Sequence, residues 1–156
     1  MVSYNLKIKK ILLAMDGSEA SFNASKYAIH LAKIEGAELI LLHVLENIKQ
    51  GGVIGLRARY GDIKIVKGYL QYSEKLAKQW MNKVEEVASS NGVHLKKEVI
   101  LDQSSKAEEI LQYAEKNKVD IIVIGTKGLT TFKKLIIGSV ANAIVGNAKC
   151  PVLVVK

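Results

Sequence analysis

Short runs of apolar residues alternate along this chain with longer segments in which apolar residues recur at the helical period. Runs that are apolar on both faces are typical of strands buried between two layers of helices. The pattern predicts five strands, at residues 11–15, 39–44, 95–101, 120–125 and 151–155. Helical stripes predict four helices, at residues 18–36, 69–92, 105–114 and 139–147.

This order of elements, a strand followed by a helix four times and then a last strand, predicts a single-domain α/β fold over residues 1–156. Right-handed crossovers then give an open five-stranded parallel sheet with helices on both faces. The charged residues Lys96, Lys97 and Glu98 place the third strand at an edge of the sheet. We expect the apolar last strand at an edge too, and therefore a homodimer that pairs or covers it.

The segment from about 46 to 68 departs from the alternation. It contains five glycines among lysines and arginines and shows no clear apolar period. We interpret it as a long, mobile, glycine-rich connection that holds at most a short helix.

The composition narrows the class of protein. Hydrophobic residues make up 49% of the chain and charged residues 24%, an ordinary globular composition that excludes a disordered chain. A single cysteine, Cys150, excludes a disulfide framework and favours a reducing compartment, so we expect a cytoplasmic protein. The longest apolar runs are far shorter than the roughly 20 residues that span a bilayer, so no membrane association is expected.

The charge of the chain is basic, with a formal net charge of +8. Residues 121–156 contain no Asp or Glu but five lysines, so this segment favours anionic partners, unless the charge serves only solubility. Aromatic residues amount to 6%, too few for the interleaved aromatics of a single-strand nucleic-acid binder, and nucleic acid is therefore the less favoured anion.

Ligands of parallel sheets bind beyond the carboxyl ends of the strands, where the strand order reverses. The first strand ends at Asp16-Gly-Ser18. The Asp16 carboxylate could accept hydrogen bonds from ribose hydroxyls or help to hold a metal. The alternative is that Asp16 only caps the following helix.

The fourth strand is followed by Gly125-Thr-Lys-Gly128, then nine residues, then Gly138-Ser139. Glycines permit a positive φ and a close approach of the backbone to a ligand. Consecutive backbone N–H groups and the start of the next helix favour a phosphate, and Lys127, Lys133 and Lys134 add positive charge. The alternative is a glycine-bearing turn with Ser139 as an N-cap. Neither a P-loop sequence nor a Gly-x-Gly-x2-Gly sequence is present.

These residues resemble the universal stress protein family, specifically its ATP-binding branch. The resemblance spans the chain: Lys10-Ile-Leu-Leu-Ala-Met-Asp-Gly-Ser18, Leu41-Leu-His-Val44, Ile122-Val-Ile-Gly-Thr-Lys-Gly128, Gly138-Ser-Val140 and Cys150-Pro-Val-Leu-Val-Val155. It implies an adenine-nucleotide-type, Rossmann-like sheet of strand order 3-2-1-4-5 and a homodimer formed through the last strand. It also implies ATP, with or without Mg²⁺ or Mn²⁺, as the ligand.

The resemblance also assigns residues to the ATP site. Asp16 would lie near the ribose or adenine, and the backbone of Val44 would contact adenine. The full set of predicted ligand-binding residues is Ala14, Met15, Asp16, Val44, Gly125, Lys127, Gly128, Gly138, Ser139 and Val140. One departure affects the pocket wall: the Gly and Pro that the family often has after the third strand are replaced here by Leu101-Asp-Gln-Ser-Ser-Lys106.

No pair of catalytic carboxylates and no Ser/His/Asp arrangement follows from the spacing, and the histidines lack metal-ligand spacing. His43 is interpreted as a hydrogen-bonded core or pocket-edge residue, and Cys150 as structural. The leading hypothesis is therefore an ATP-binding regulatory stress-response protein, at most a slow ATPase, which acts through nucleotide-dependent conformation or an unknown protein partner. The alternative is an interaction protein of the same fold that binds no nucleotide.

Overall fold

The computed structural model describes residues 6–47, 52–127 and 137–156. Within these residues the strands form one parallel sheet of order β3-β2-β1-β4-β5. The predicted fold class, the strand order and the edge positions of the third and fifth strands are therefore confirmed. In chain order the elements are β1 (Lys10–Ala14), α1 (Glu19–Glu35), β2 (Glu38–Leu45), α2 (Gly52–Arg59), α3 (Ile63–Ser90), β3 (Leu95–Leu101), α4 (Lys106–Lys116), β4 (Ile121–Gly125), α5 (Ser139–Asn147) and β5 (Val152–Val155).

The two faces of the sheet are covered by different helices, because successive side chains of a strand point to opposite sides. In β1, Ile11 and Leu13 join a core cluster with α1 and α3, and Leu12 joins a second cluster with α4 and α5. Leu12 pairs in register with Ile40 of β2 and Ile122 of β4. The uninterrupted apolar runs are thus explained by burial on both faces.

The ends of the helices follow the local sequence. Ser18 is the N-cap of α1, and its side chain accepts a hydrogen bond from the Ser21 N–H. Ser105 caps α4 in the same way through the Glu108 N–H. Gly36 ends α1 with a φ of 64°, a left-handed conformation that glycine adopts without strain.

The segment from 46 to 68 is more regular than its sequence suggests. It contains α2, and α3 begins at Ile63, six residues before the predicted start, because Asp62 caps the helix by accepting from the Ile65 N–H. The missing apolar period has a physical cause: the first turns of α3 are largely exposed, so packing does not select their residues. Residues 48–51 lie outside the described part, and the mobility of the segment stays a prediction.

The apolar side chains of α3 are only partly buried. Ala77, Val84 and Ala88 are buried, but Leu76 and Val87 are exposed and do not belong to the core. Trp80 packs against the core cluster beneath α1 and α3, and its ring makes an edge contact with Phe22. Trp80 is therefore a packing residue of this core cluster.

The central position of β1 creates the place for a ligand. The connection that leaves β1 runs to α1 on one face, and the connection that leaves β4 runs to α5 on the other. A crevice therefore opens between the carboxyl ends of β1 and β4. Among the described residues, no helix combines the length and the apolar character that crossing a membrane requires.

Candidate functional site

A cavity of about 240 Å³ occupies this crevice. Its size is close to the lower end of the roughly 300–1,000 Å³ typical of small-molecule sites. It is bounded by β1, by β2 and α4 on one side, and by β4 and α5 on the other. The lining residues are Ala14, Met15, Asp16, Ser21, Leu42, His43, Val44, Glu46, Lys106, Ile110, Ile124, Gly125, Thr126, Lys127, Gly138, Ser139, Val140 and Ala141.

The structure brings together the predicted site residues that it describes. Nine of the ten line the cavity, although they come from four separate stretches of the chain. The tenth, Gly128, lies outside the described residues, as do Lys133 and Lys134.

Two hydrogen bonds hold the turn at Asp16, one within the turn and one to the loop after β4. The Ser18 N–H donates to Asp16 Oδ1 at 3.0 Å, and the Ser18 hydroxyl donates to the Lys127 carbonyl at 3.2 Å. Since Ser18, not Asp16, caps α1, the Asp16 side chain is left to line the cavity. The Ser18 hydroxyl also ties the turn after β1 to the loop after β4.

The start of α5 presents backbone donors to the cavity. Gly138 is the N-cap and makes no side-chain cap hydrogen bond, and its own N–H donates to the Thr126 carbonyl at 2.6 Å. Ser139 is the first helical residue and is exposed, so the alternative in which Ser139 is the N-cap is wrong. An uncapped helix start with its positive dipole end toward a cavity favours an anion there.

Gly125 has a different role from the one expected. Its φ is not positive, and a Cβ on it would lie 2.8 Å from the carbonyl carbon of Ala20. The glycine is required because the first turn of α1 packs directly on the end of β4. Its backbone still lines the cavity.

Charged side chains on the β2–α4 side were not singled out by the sequence. Lys106 Nζ lies 3.7 Å from Glu46 Oε2, and both residues line the cavity. Lys106 belongs to the stretch where the chain departs from the family pattern, so the altered wall is the signal that could have identified it. Beside this pair lie apolar side chains: Ala14, Leu42, Val44, Ile110 and Ile124.

His43 is a pocket-edge residue, as expected. Its Nδ1 lies 2.9 Å from the Met15 carbonyl oxygen. Burial lowers the pKa of His43 below its usual value of 6.5; the Met15 hydrogen bond and Asp16 oppose this shift, and Lys106 adds to it. His43 is therefore neutral at pH 7, and the proton shared with a carbonyl must sit on Nδ1.

Comparisons with known proteins agree with this architecture. The family model for the universal stress protein family matches residues 7–156. Universal stress protein MJ0531 of Methanocaldococcus jannaschii is 37% identical over 148 residues, which cover 95% of this chain and 82% of the relative. Universal stress protein YxiE of Bacillus subtilis is 32% identical over 151 residues, covering 94% of this chain and 98% of the relative.

Solved structures of similar proteins share the fold. The universal stress protein UspA from Lactobacillus plantarum superposes with a TM-score of 0.84 at 23% identity, covering 97% of this chain and 100% of that chain. A universal stress protein from Archaeoglobus fulgidus, solved in complex with dAMP, gives a TM-score of 0.62 at 18% identity, covering 97% and 100%. A universal stress protein solved in complex with cAMP gives a TM-score of 0.70 at 18% identity, covering 97% of this chain and 99% of that chain.

Proposed function

The chain belongs to the universal stress protein family, and from this we propose that its cavity binds an adenine nucleotide, with ATP as the main ligand. The observation that carries the proposal is the polarity of the cavity. The β2–α4 side is mainly apolar apart from the Glu46–Lys106 pair and suits a planar base, whereas the other side offers the uncapped start of α5 and Lys127 to phosphates. The dAMP and cAMP complexes of related proteins support an adenine ligand.

In this arrangement the base lies between β1 and the β2–α4 side, near the Val44 backbone. The ribose lies beside Asp16, whose carboxylate accepts hydrogen bonds from hydroxyl groups. The phosphates extend along Gly125, Lys127 and the first turn of α5, where backbone N–H groups and the helix dipole stabilise negative charge.

We propose that the bound nucleotide is a regulatory ligand that is turned over slowly or not at all. The acidic residues that line the cavity are Asp16 and Glu46. Asp16 Oδ1 accepts from the Ser18 N–H, and Glu46 is paired with Lys106. We assign Asp16 to the ribose and Glu46 to the pocket wall beside the base, which leaves neither as the base that positions a water for efficient phosphoryl transfer.

A divalent cation would come with the phosphates. The described residues contain no group of three or more His, Cys, Asp or Glu that could hold a metal ion. Mg²⁺ or Mn²⁺ would therefore take its ligands mainly from phosphate oxygens and water, as Mg²⁺ usually does in nucleotide sites. Calorimetry of ATP binding with and without magnesium measures this contribution.

We also propose a homodimer that forms through β5. This strand is at the edge of the sheet, and Val152, Leu153 and Val154 are only partly buried in the single chain. A second copy would cover apolar surface that an isolated edge strand exposes. Sedimentation at micromolar concentration is expected to give the dimer mass, and a monomer mass would contradict the proposal.

Calorimetry with ATP, GTP and a mixed-sequence oligonucleotide, each at two salt concentrations, tests the nucleotide proposal. ATP is expected to bind with a mild dependence on salt, because few phosphates are contacted, whereas binding to a nucleic acid would weaken steeply. Binding of the oligonucleotide without ATP would favour a nucleic-acid binder. Binding of neither would favour the interaction protein that takes no nucleotide.

A further inference from the structure

The turn that carries Asp16 is supported by His43, at the edge of the cavity, and by Trp80 of α3. Met15 and Gly17 contact two side chains of the α1–α3 face: His43, whose Nδ1 lies 2.9 Å from the Met15 oxygen, and Trp80. A Cβ on Gly17 would lie 2.9 Å from Trp80 Nε1, so the indole packs directly on the turn. Gly17 has a φ of 81°, which a residue with a side chain rarely adopts.

His43 and Trp80 also contact each other. Their ring centroids are 5.1 Å apart and the planes meet at 85°, an edge-to-face contact. Trp80 is in turn fixed by Phe22 of α1, at 6.4 Å and 77°. A continuous set of contacts therefore runs from α3 through Trp80 and His43 to both sides of Asp16.

We propose that His43 and Trp80 are positioning residues of the nucleotide site: they hold the Met15–Ser18 turn, and they link occupancy of the cavity to α3. The part of this proposal that concerns nucleotide affinity rests on the proposed function. The part that concerns the turn does not, because the contacts are present in the chain alone.

The link to α3 has a functional consequence. α3 is followed directly by the edge strand β3 and preceded by α2, which packs on it. A nucleotide that hydrogen-bonds to Asp16 would shift the turn. Because Trp80 is packed directly on the turn, the indole would have to move with it. α3 is thus the element through which the ligand state would reach the opposite face of the sheet.

The hydrogen bond of His43 is tested by two substitutions that differ in one property. His43→Asn keeps an N–H donor close to the position of Nδ1, whereas His43→Leu removes it. His43→Leu is expected to weaken ATP binding up to about tenfold, the scale for losing one hydrogen bond. His43→Asn is expected to restore most of the affinity. His30→Leu, on the exposed face of α1, is the matched control.

Trp80 supplies a direct readout, because it is the only tryptophan of the chain. Binding of ATP is expected to change its fluorescence.

Acidification is also expected to quench the Trp80 fluorescence as His43 gains a proton. This acid quenching should be absent from His43→Asn. The charged groups near His43 are Asp16 and Lys106, with Glu46 also on the cavity wall, and Trp80 contacts the imidazole from α3 without charge. Bound phosphates should move the quenching to higher pH, since negative charge favours the imidazolium.

The turn itself is tested without any nucleotide. The Ser18 amide, bonded to Asp16 Oδ1, is expected to exchange its hydrogen faster in His43→Leu and Trp80→Leu than in the wild type, but not in His43→Asn or His30→Leu. If ATP, dAMP and cAMP all fail to bind the wild type, the proposed function fails, and this exchange measurement alone decides the positioning proposal. Unchanged exchange in both leucine variants, or unchanged Trp80 fluorescence when calorimetry shows ATP bound, would overturn the proposal.

Discussion

Two cavities lined by described residues are similar in size and lie at opposite ends of the sheet. The first, about 240 Å³, lies at the carboxyl ends of β1 and β4, and the second, about 210 Å³, lies at the amino end of β4. Both have lysines at their rims. The second is lined by Leu111, Ala114, Glu115, Lys118, Val119, Ile122, Asn147, Ala148, Lys149 and Cys150.

The difference between them is the direction of the helices. The first cavity faces the start of α5, where N–H groups point outward, whereas the second faces the last turns of α4 and α5, where carbonyl oxygens point outward. Each cavity also has a lysine in an ion pair: Lys149 Nζ lies 2.6 Å from Glu115 Oε1 at the second, and Lys106 Nζ lies 3.7 Å from Glu46 Oε2 at the first. Size and nearby positive side chains therefore do not distinguish the two cavities, and helix polarity is the feature that favours the first as the proposed nucleotide site.

Blocking each cavity with a large side chain should produce the largest contrast. Ser139→Trp places an indole at the mouth of the first cavity, and Asn147→Trp does so at the second; both positions are exposed on α5. Ser139→Trp is expected to weaken ATP binding by about 100-fold or more, equivalent to about 2.7 kcal/mol. Asn147→Trp should leave the affinity unchanged, as measured by calorimetry.

Thermal unfolding of both variants serves as the control, because exposed positions should accept the indole with little loss of stability. Equal loss of affinity in the two variants would mean that the nucleotide does not distinguish the cavities. Loss only in Asn147→Trp would place the nucleotide in the second one.

Glycine substitutions at the two ends should change stability in opposite directions. Gly125→Ala brings a Cβ within 2.8 Å of the Ala20 backbone and is expected to cost about 1–3 kcal/mol. Gly146→Ala, near the end of α5, meets nothing within 4 Å and is expected to gain about 0.4–1 kcal/mol. Denaturant unfolding measures both, and a neutral Gly125→Ala would show that α1 can move away from β4.

The sequence was sufficient to predict the fold because the strands carry redundant information. Four of the five strands are mainly apolar on both faces, α1 and α4 begin at capping serines, and charged residues mark the edge strand β3. Nine of the predicted site residues line one cavity for a related reason, since all lie at or just beyond the carboxyl end of a strand or at the start of a helix. Local position along a parallel sheet thus determines which loops meet.

The features that sequence reasoning missed depend on contacts between distant residues. Trp80 lies 63 residues from Gly17 along the chain (80 − 17), and no local pattern relates the two. The reason for a glycine at 125 is equally remote, because it is the approach of Ala20. The helical turns of α3 before Tyr69 were missed since their exposed surface leaves no apolar stripe, and the Glu46–Lys106 pair joins two loops that only the fold brings together.

Removing one lysine at each cavity should give a smaller contrast in binding. Lys127→Ala removes a positive charge beside the start of α5 and is expected to weaken ATP binding about threefold to tenfold, the scale for a hydrogen bond to a charged group. Lys149→Ala should have no effect on affinity, and its exposed ion pair with Glu115 should contribute under about 1 kcal/mol to stability. Calorimetry at low and high salt is the measurement. The difference between the variants should shrink with salt if charge is its cause.

The smallest expected contrast between the two cavities is in the pH dependence of folding stability. The first cavity should contribute a change in acid and the second a change in alkali. Burial lowers the pKa of His43 at the first cavity and raises the pKa of Cys150, from its usual 9.0, at the second. Between its folded and unfolded pKa values, His43 binds more protons when the chain is unfolded, so its contribution to stability is complete above pH 6.5 and is lost as the pH falls through the lower folded value. The Cys150 contribution is complete below pH 9.0 and is lost as the pH rises through the higher folded value.

Denaturant unfolding across this pH range measures both contributions. The free energy of unfolding should fall less in acid for His43→Asn than for the wild type, and less in alkali for Cys150→Ala. Identical profiles for the wild type and His43→Asn would mean that His43 can gain its proton without cost, and that the first cavity is more open to water than its burial indicates.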